Sequence, residues 1–557
     1  MKRSFPAIVL ALCLGPAAVA AAPPTPAAFA PEAEALLARN YPAEGPGAAV
    51  LVARGDTVLF RGARGEADIA THAPLRPDSV FRIASITKQF TAAGLLTLVE
   101  AGKVSLDDPL SKYLPDYPGG EAITLLQLLN HTAGLRNYSG LIGQAEDANT
   151  RDRSTAGIIA LFRDQEPEFA PGARWAYSNS GYALIGAVIE AVTGRPWHLY
   201  LEETLFRPLG MRNTGYGHRT PLAARQVQGY AYRDGAVAPM QPMSMTLPHA
   251  AGSLVSTADD LLTWNRALHE GRVLKSETYR RMVTPVGKAE AAGYGFGLYA
   301  DTVRSSPALW HGGHIFGFTA VLLYLPGPDI TVVVLENDDS ANSPDTARNL
   351  ARKLAARAVG DPYPEPQAVQ ADAATLQPAE GLYRFDGGVI RILKLVDGRL
   401  TAQRNGAPRA PLTPIGPGEF LYPDGFNRLK LEYDAAGRVA GLRHFPNGDG
   451  PGVVGTRVEG AALTPPAGIL LPRAALDRLT GAYASGGLAM KVYVDAGALK
   501  AQLGGQPPVD LRAVSPTRFE VDETGASLDF PPGDGPAAEL TVRQGAREVV
   551  LRRSPAD

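Results

Sequence analysis

The chain has 557 residues, a formal net charge of -2 and 20% charged residues. Such a length accommodates two to four domains, and the near-neutral balance without a basic run excludes nucleic acid as an expected partner. The hydrophobic content of 45% is that of ordinary globular protein. The single cysteine, Cys13, excludes a disulfide framework and, once a leader is removed, thiol catalysis.

Residues 1–20 read as a secretory signal. Lys2 and Arg3 supply the positive start, Ala7 to Leu14 the apolar stretch, and Ala18-Val19-Ala20 a small-residue cleavage site. The apolar stretch is too short to span a bilayer, and no later run is long and apolar enough. The expected product is therefore periplasmic or secreted, without a stable membrane anchor. Residues 21–30, rich in Pro and Ala, read as a disordered leader. Pro31 to Asn40 follows as a short helix, with proline suited to the first turn. Gly47 to Ala53 and Thr57 to Arg61 predict two strands joined by the tight Arg54-Gly55-Asp56 turn. A polar turn then runs into an apolar helix that carries Ser85 and ends near Gly102. Gly317 to Tyr324 and Ile330 to Glu336 predict a second hairpin. Thr346 to Val359 is an amphipathic helix, with Ala347, Leu350, Ala351, Leu354, Ala355 and Ala358 on one face.

Helix and strands at both ends of residues 31–360, with a helical insertion between them, predict one α/β sandwich in which the terminal segments share an antiparallel sheet. The terminal helices should cover one face and the Ser85 helix the other. Three prolines in Gly360 to Pro366 mark a stiff linker, 361–375. Beyond it, short alternating strands broken by Asp-Gly, Asn-Gly and Pro-Gly predict all-β structure. Gly381-Leu-Tyr383 returns as Gly481-Ala-Tyr483, and Gly398-Arg-Leu-Thr-Ala-Gln403 as Gly497-Ala-Leu-Lys-Ala-Gln502. The repeat predicts two β barrels or sandwiches, 376–462 and 476–557, separated by a second linker, 463–475.

Chemistry is carried first by Ser85-Ile-Thr-Lys88. Residues three apart share a helical face, so Lys88 projects beside the Ser85 hydroxyl. A serine hydroxyl is a poor nucleophile until a neighbour takes its proton. A lysine does so when its surroundings lower its pKa, and a helix start favours negative charge developing at Ser85. Four residues alone are a weak signal, since a capping serine followed by a solvated lysine is common. Trp175 to Gly181 adds Tyr177-x-Asn179. A phenol beside an ammonium is pushed toward phenolate, which makes Tyr177 a candidate base for Ser85 and later an acid. The Asn179 amide both donates and accepts, and so is suited to hold Lys88 and a substrate amide.

Trp310-His-Gly-Gly-His-Ile-Phe-Gly-Phe318 predicts an edge strand beside the nucleophile. Gly313 would let a substrate backbone approach closely. His311 would donate to a substrate carboxylate or carbonyl, or support the Tyr177 proton network. The backbone N–H groups of Ser85 and His314 are candidate oxyanion donors. No His-Glu-x-x-His pair flanks these histidines, so neither metal nor cofactor is expected. His131, in Leu128-Leu-Asn-His-Thr-Ala-Gly-Leu135, reads as a structural histidine at a helix end.

Taken in order, Phe81 to Lys88, Leu129 to Leu135, Tyr177 to Tyr182, Gly252 to Asp260, Tyr294 to Leu298 and His311 to Gly313 resemble the serine β-lactamase and penicillin-binding-protein superfamily, whose nucleophile motif is Ser-x-x-Lys. The resemblance is to its class C-like branch, which includes D-aminopeptidase and esterases. It implies a β-lactamase-like α/β domain over about residues 30–360 and a serine acyl-enzyme acting on a peptide or small-molecule amide or ester. The two C-terminal β modules resemble the barrel-bearing architecture of D-aminopeptidase. One departure stands out. Where many of those enzymes carry Lys-Thr-Gly, this chain has His311-Gly312-Gly313, without the charged lysine that would bind a β-lactam carboxylate. That favours a peptidase, with D-residue specificity in view, or an esterase. The alternatives are a β-lactamase and a non-catalytic binding or regulatory module. Oligomeric state is not legible.

Overall fold

The structure is a computed structural model and describes residues 24–140, 149–233, 236–340, 346–386, 389–404, 409–459, 469–485, 488–495, 497–504, 508–521, 524–533, 535–544 and 547–554. The expected signal, 1–20, lies outside the described residues. Helix α1 (Pro26–Asn40) starts within the stretch expected to be a disordered leader. Thr25 caps it by accepting from the Ala28 N–H, and Pro26 occupies the first turn, where its missing N–H costs nothing. The Pro/Ala composition concealed an apolar stripe: Phe29, Ala33, Leu36 and Leu37 are all buried.

A six-stranded antiparallel sheet is built from β1 (Ala48–Arg54), β2 (Thr57–Arg64), β3 (Tyr299–Val303), β4 (Ser306–Ile315), β5 (Phe318–Leu325) and β6 (Ile330–Glu336), in the order β3-β4-β5-β6-β1-β2. Strands from the two ends of the domain meet at β6 and β1, with Val50 opposite Val334 and Val52 opposite Val332. Successive side chains on a strand face opposite ways, and both faces of this sheet are covered. Ala48, Val50 and Val52 pack with α1 and α5 (Ala347–Val359). Ala49, Leu51 and Ala53 belong to the other core, with Phe90 of α2 (Thr87–Glu100) and Trp264 of α4 (Ala258–His269). Between α2 and α4 runs α3 (Asn179–Thr193), buried along ten successive residues from Ser180 to Ile189. The terminal helices thus cover one face and the Ser85 helix the other, the arrangement expected from the segment order.

After α5 the chain runs without regular structure from Asp361 to Asp372. The first β module is a nine-stranded sheet whose outermost strands, Ala410–Pro411 and Thr413–Gly416, are neighbours in sequence, so the sheet is nearly closed. The second is a closed barrel from Gly481–Ser485 to Arg547–Arg553. The sequence repeat has a structural meaning. Tyr383 donates to the Ala379 carbonyl at 2.7 Å, and Tyr483 to the Leu479 carbonyl at 2.8 Å. An arginine on the last strand of each, Arg457 or Arg553, donates back to carbonyls preceding the first strand. Among the described residues no helix is long and apolar enough to cross a membrane.

Candidate active site

Ser85 lies in a 3₁₀ turn, Ala84–Ile86, that leads straight into α2. The turn is strained, because Ala84 has φ +44°, a region that L-residues other than Asn and Asp rarely occupy. It is fixed from two sides. Strand Phe81–Arg82 pairs with Leu254–Ser256 on one side. On the other, β4 presses against it so closely that a Cβ on Gly313 would lie 2.2 Å from the Ile83 carbonyl oxygen and 3.1 Å from the Ala84 Cβ. The backbone that Gly313 admits is therefore the protein's own, not a substrate's. This corrects the role expected of that glycine.

Lys88 lies one turn along and is completely buried. Its Nζ is 3.0 Å from Ser85 Oγ, 2.8 Å from Asn179 Oδ1 and 2.8 Å from the Ala251 carbonyl oxygen. Burial holds its pKa well below the ordinary lysine value. An amide oxygen and a carbonyl can only accept. A neutral Lys88 therefore gives one N–H to each, and its lone pair is left facing the Ser85 hydroxyl.

The Tyr177 ring lies under Lys88 Nζ, 4.7 Å from it to the ring centroid. Burial pushes its pKa up, against the phenolate expected from its charged neighbour. Desolvation of the phenolate dominates. Tyr177 thus remains a proton donor. Asn179, at the start of α3, is positioned by its Nδ2, which donates to Ser139 Oγ at 3.1 Å, and by its backbone N–H, which donates to Asn137 Oδ1 at 3.2 Å.

His311 also departs from expectation. It faces inward from β4, 2% exposed. Its Nδ1 is 2.6 Å from the Gly312 carbonyl oxygen, and its Nε2 is 3.1 Å from the Tyr294 hydroxyl. With Nδ1–H given to the carbonyl, Nε2 accepts from Tyr294, and neither nitrogen is left for a substrate. Burial pushes its pKa down to about 3, so it is neutral. Of its two expected roles, only support of the tyrosine network agrees with this geometry. His131 accepts from the Ser178 N–H at 3.2 Å and its ring lies 4.4 Å from that of Tyr177. It anchors the loop that presents Tyr177, in line with its structural reading.

A cavity of about 400 Å³ opens above Ser85. Asn179 and His314 line it with Ser85, and Tyr138, Met243, Leu247 and Phe316 give it an apolar wall. Ser85, Asn179 and His314 thus share one cavity, while Lys88, Tyr177, His311 and Gly313 do not line it. Sequence reasoning missed the Ala251 carbonyl and Tyr294. Tyr294 opens the Tyr294–Leu298 landmark and Ala251 lies one residue before the Gly252–Asp260 landmark, but no spacing rule ties either to Ser85. Among the described residues no group of three or more His, Cys, Asp or Glu is placed to hold a metal.

A serine with an enclosed lysine one helical turn on, a proton-bearing tyrosine and a cavity above defines a serine hydrolase of the penicillin-recognising fold. Residues 36–357 match the Beta-lactamase family, and the chain belongs to it. It is 26% identical over 400 residues to penicillin-binding protein 4* of Bacillus subtilis, covering 67% of this chain and 87% of that protein. It is 30% identical over 341 residues to a D-aminopeptidase of Gluconobacter oxydans, covering 59% of this chain and 62% of that one. In fold it resembles an octameric penicillin-binding protein homologue from Pyrococcus abyssi, with TM-score 0.53 and 21% identity over 83% of this chain and 95% of the other.

Proposed function

We propose that the protein is an exported amidohydrolase that cleaves D-aminoacyl amide or ester bonds through an acyl-enzyme on Ser85. The observation that carries this reading is the enclosure of Lys88 Nζ between two acceptor-only oxygens, with Ser85 Oγ at 3.0 Å. Lys88 takes the hydroxyl proton as Ser85 Oγ bonds to the substrate carbonyl carbon. Backbone N–H groups at Ser85 and His314 are the proposed oxyanion donors. When the tetrahedral intermediate collapses, the C–N or C–O bond breaks. Tyr177 gives its proton to the departing nitrogen or oxygen and recovers one from Lys88. A water then repeats the sequence to release the acid and restore Ser85.

Preference for D-residues is supported by the D-aminopeptidase relative. Preference for amides or esters over β-lactams is supported by His311, which is neutral and turned inward and so offers no cation to a β-lactam carboxylate. Export is supported by the signal-like sequence of residues 1–20. The test is turnover by the purified protein of D- and L-alanine p-nitroanilide, p-nitrophenyl acetate and nitrocefin, with Ser85→Ala as control. The reading expects D-anilide and ester cleavage, both lost in Ser85→Ala. L-anilide cleavage at equal rate would remove the stereochemical part. Nitrocefin as the best substrate would replace the reading with a β-lactamase.

A further inference from the structure

The strand that presses on the Ser85 turn is itself held by the first β module. Strand β3, the outer edge of the sheet, pairs with β4 from Ser306 to Trp310, just before the stretch that meets the turn. Sheet edges need cover, and here the cover comes from the turn that follows strand Val439–Phe445 of the module. Asn447 Nδ2 donates to Asp301 Oδ1 at 3.2 Å, and Asn447 Oδ1 accepts from Arg348 at 3.2 Å. Asp301 also accepts from Arg348 at 2.8 Å and from Arg352, 1% exposed, at 3.0 Å. Asp449 accepts from Arg304 at 2.7 Å. Arg304 lies in the β3–β4 turn with φ +53°, a backbone conformation that needs external support. Phe426 of the same module, 4% exposed, is buried in the outer core of the sandwich against Tyr363.

Aromatic contacts lead inward from this joint. Arg348 lies over the Trp310 ring at 4.3 Å. Trp310 stacks on Tyr299 at 5.0 Å, and Tyr299 contacts Tyr294 at 4.6 Å and His311 at 5.4 Å. Tyr294 and His311 are in turn neighbours of Tyr177.

We infer that the first β module is a brace for the active site, and that Asn447 and Asp449 are positioning residues that hold the β3–β4 hairpin against the Ser85 turn. The inference rests on the serine-hydrolase reading for its kinetic consequence but not for its structural one. Without the brace, Asp301 keeps Arg348 and Arg352, and Arg304 keeps Asp361 at 2.9 Å, but the β3 edge and its strained turn lose the Asn447 and Asp449 contacts. β4 can then lift from Ile83, and Tyr177 loses the wall formed by His311 and Tyr294.

The test uses the full chain with Asp449→Ala, Asn447→Ala, Asp449→Glu and Arg438→Ala. Arg438 pairs with Asp434 on an exposed part of the same module and serves as control. Amide hydrogen exchange across 306–315 reads the brace directly. The kcat for p-nitrophenyl acetate and the rate of Ser85 labelling by a fluorophosphonate read its effect. Either alanine variant should exchange faster over 306–315 and lose at least about tenfold in kcat and labelling rate, with KM little changed. Asp449→Glu should recover most of the loss, and Arg438→Ala should match the wild type. Unchanged exchange and kcat in both alanine variants would overturn the inference, as would an equal loss in Arg438→Ala. If one alanine variant fails to fold, the other decides. A wild type that is never labelled would sink the hydrolase reading, while exchange would still decide the brace.

Discussion

Gly312 and Gly313 are adjacent on β4, yet replacement by alanine should damage the enzyme only at Gly313. A Cβ at Gly313 would lie 2.2 Å from the Ile83 carbonyl oxygen and 3.0 Å from its carbon. Ordinary contact begins near 3.5 Å, so β4 or the Ser85 turn must retreat by roughly 1 Å. Neither yields easily. The turn is pinned by the strand pair Phe81–Arg82 and Leu254–Ser256, and β4 is paired with β5 from Leu309 to Ile315. Overpacking of this kind costs about 1–3 kcal/mol, and a displacement of about 1 Å at a reacting group costs on the order of 10²-fold in rate. At Gly312 the nearest atoms to a new Cβ are the Trp310 ring at 3.4 Å and the Ala320 oxygen at 3.6 Å, which is ordinary contact. Thermal melts and kcat/KM for p-nitrophenyl acetate separate the cases. Gly313→Ala should melt lower and lose about two orders of magnitude; Gly312→Ala should stay near the wild type. Equal kcat/KM for the two variants would refute the claim that Gly313 exists to seat β4 against the nucleophile turn.

Tyr177→Phe should reduce p-nitroanilide hydrolysis by about 10²-fold or more but p-nitrophenyl acetate hydrolysis far less, because nitrophenolate departs without a proton. Equal losses on both substrates would argue against Tyr177 as the acid. Lys88, whose pKa burial holds well below the ordinary lysine value, must be neutral to act. The kcat/KM profile should therefore rise with pH along one limb well below that value, with no added limb from His311, itself pushed down to about 3; flat activity down to pH 4 would contradict a lysine base. Glu336, buried where Tyr41 donates to it, has a pKa pushed up from 4.5 to about 8 by burial. The native state then binds a proton that the unfolded state releases between those values, so stability should fall as pH rises through that window. Glu336→Gln should flatten the dependence of melting temperature on pH there, and a variant as pH-sensitive as the wild type would show that Glu336 is not the group responsible.

The local parts of this account were legible in the sequence. The Ser85–Lys88 spacing is a helical property, and the two hairpins and the amphipathic helix at 346–359 are matters of alternation and period. The Tyr177-x-Asn179 pair was found because its residue types suit the chemistry. What the sequence concealed depends on contacts distant in the chain. Gly313 meets Ile83, 230 positions away, so a glycine kept for the protein's own backbone looked like one kept for a substrate. The protonation of Tyr177 is set by burial, which residue type does not reveal, and so the phenolate expectation reversed. The start of α1 at Pro26 was hidden because alanine and proline read as leader until Phe29 and Leu36 find a sheet to cover. The tie between Asn447 and Asp301 joins two domains and leaves no trace in local pattern.

Covalent labelling decides whether Ser85 is the nucleophile and Lys88 its activator. The wild type, Ser85→Ala and Lys88→Met would be incubated with a fluorophosphonate, and the adduct located by intact mass and peptide mapping. One adduct on Ser85 is expected in the wild type, none in Ser85→Ala, and labelling slowed by at least about 10²-fold in Lys88→Met. An adduct on another residue, or full-rate labelling of Ser85 without Lys88, would contradict these roles.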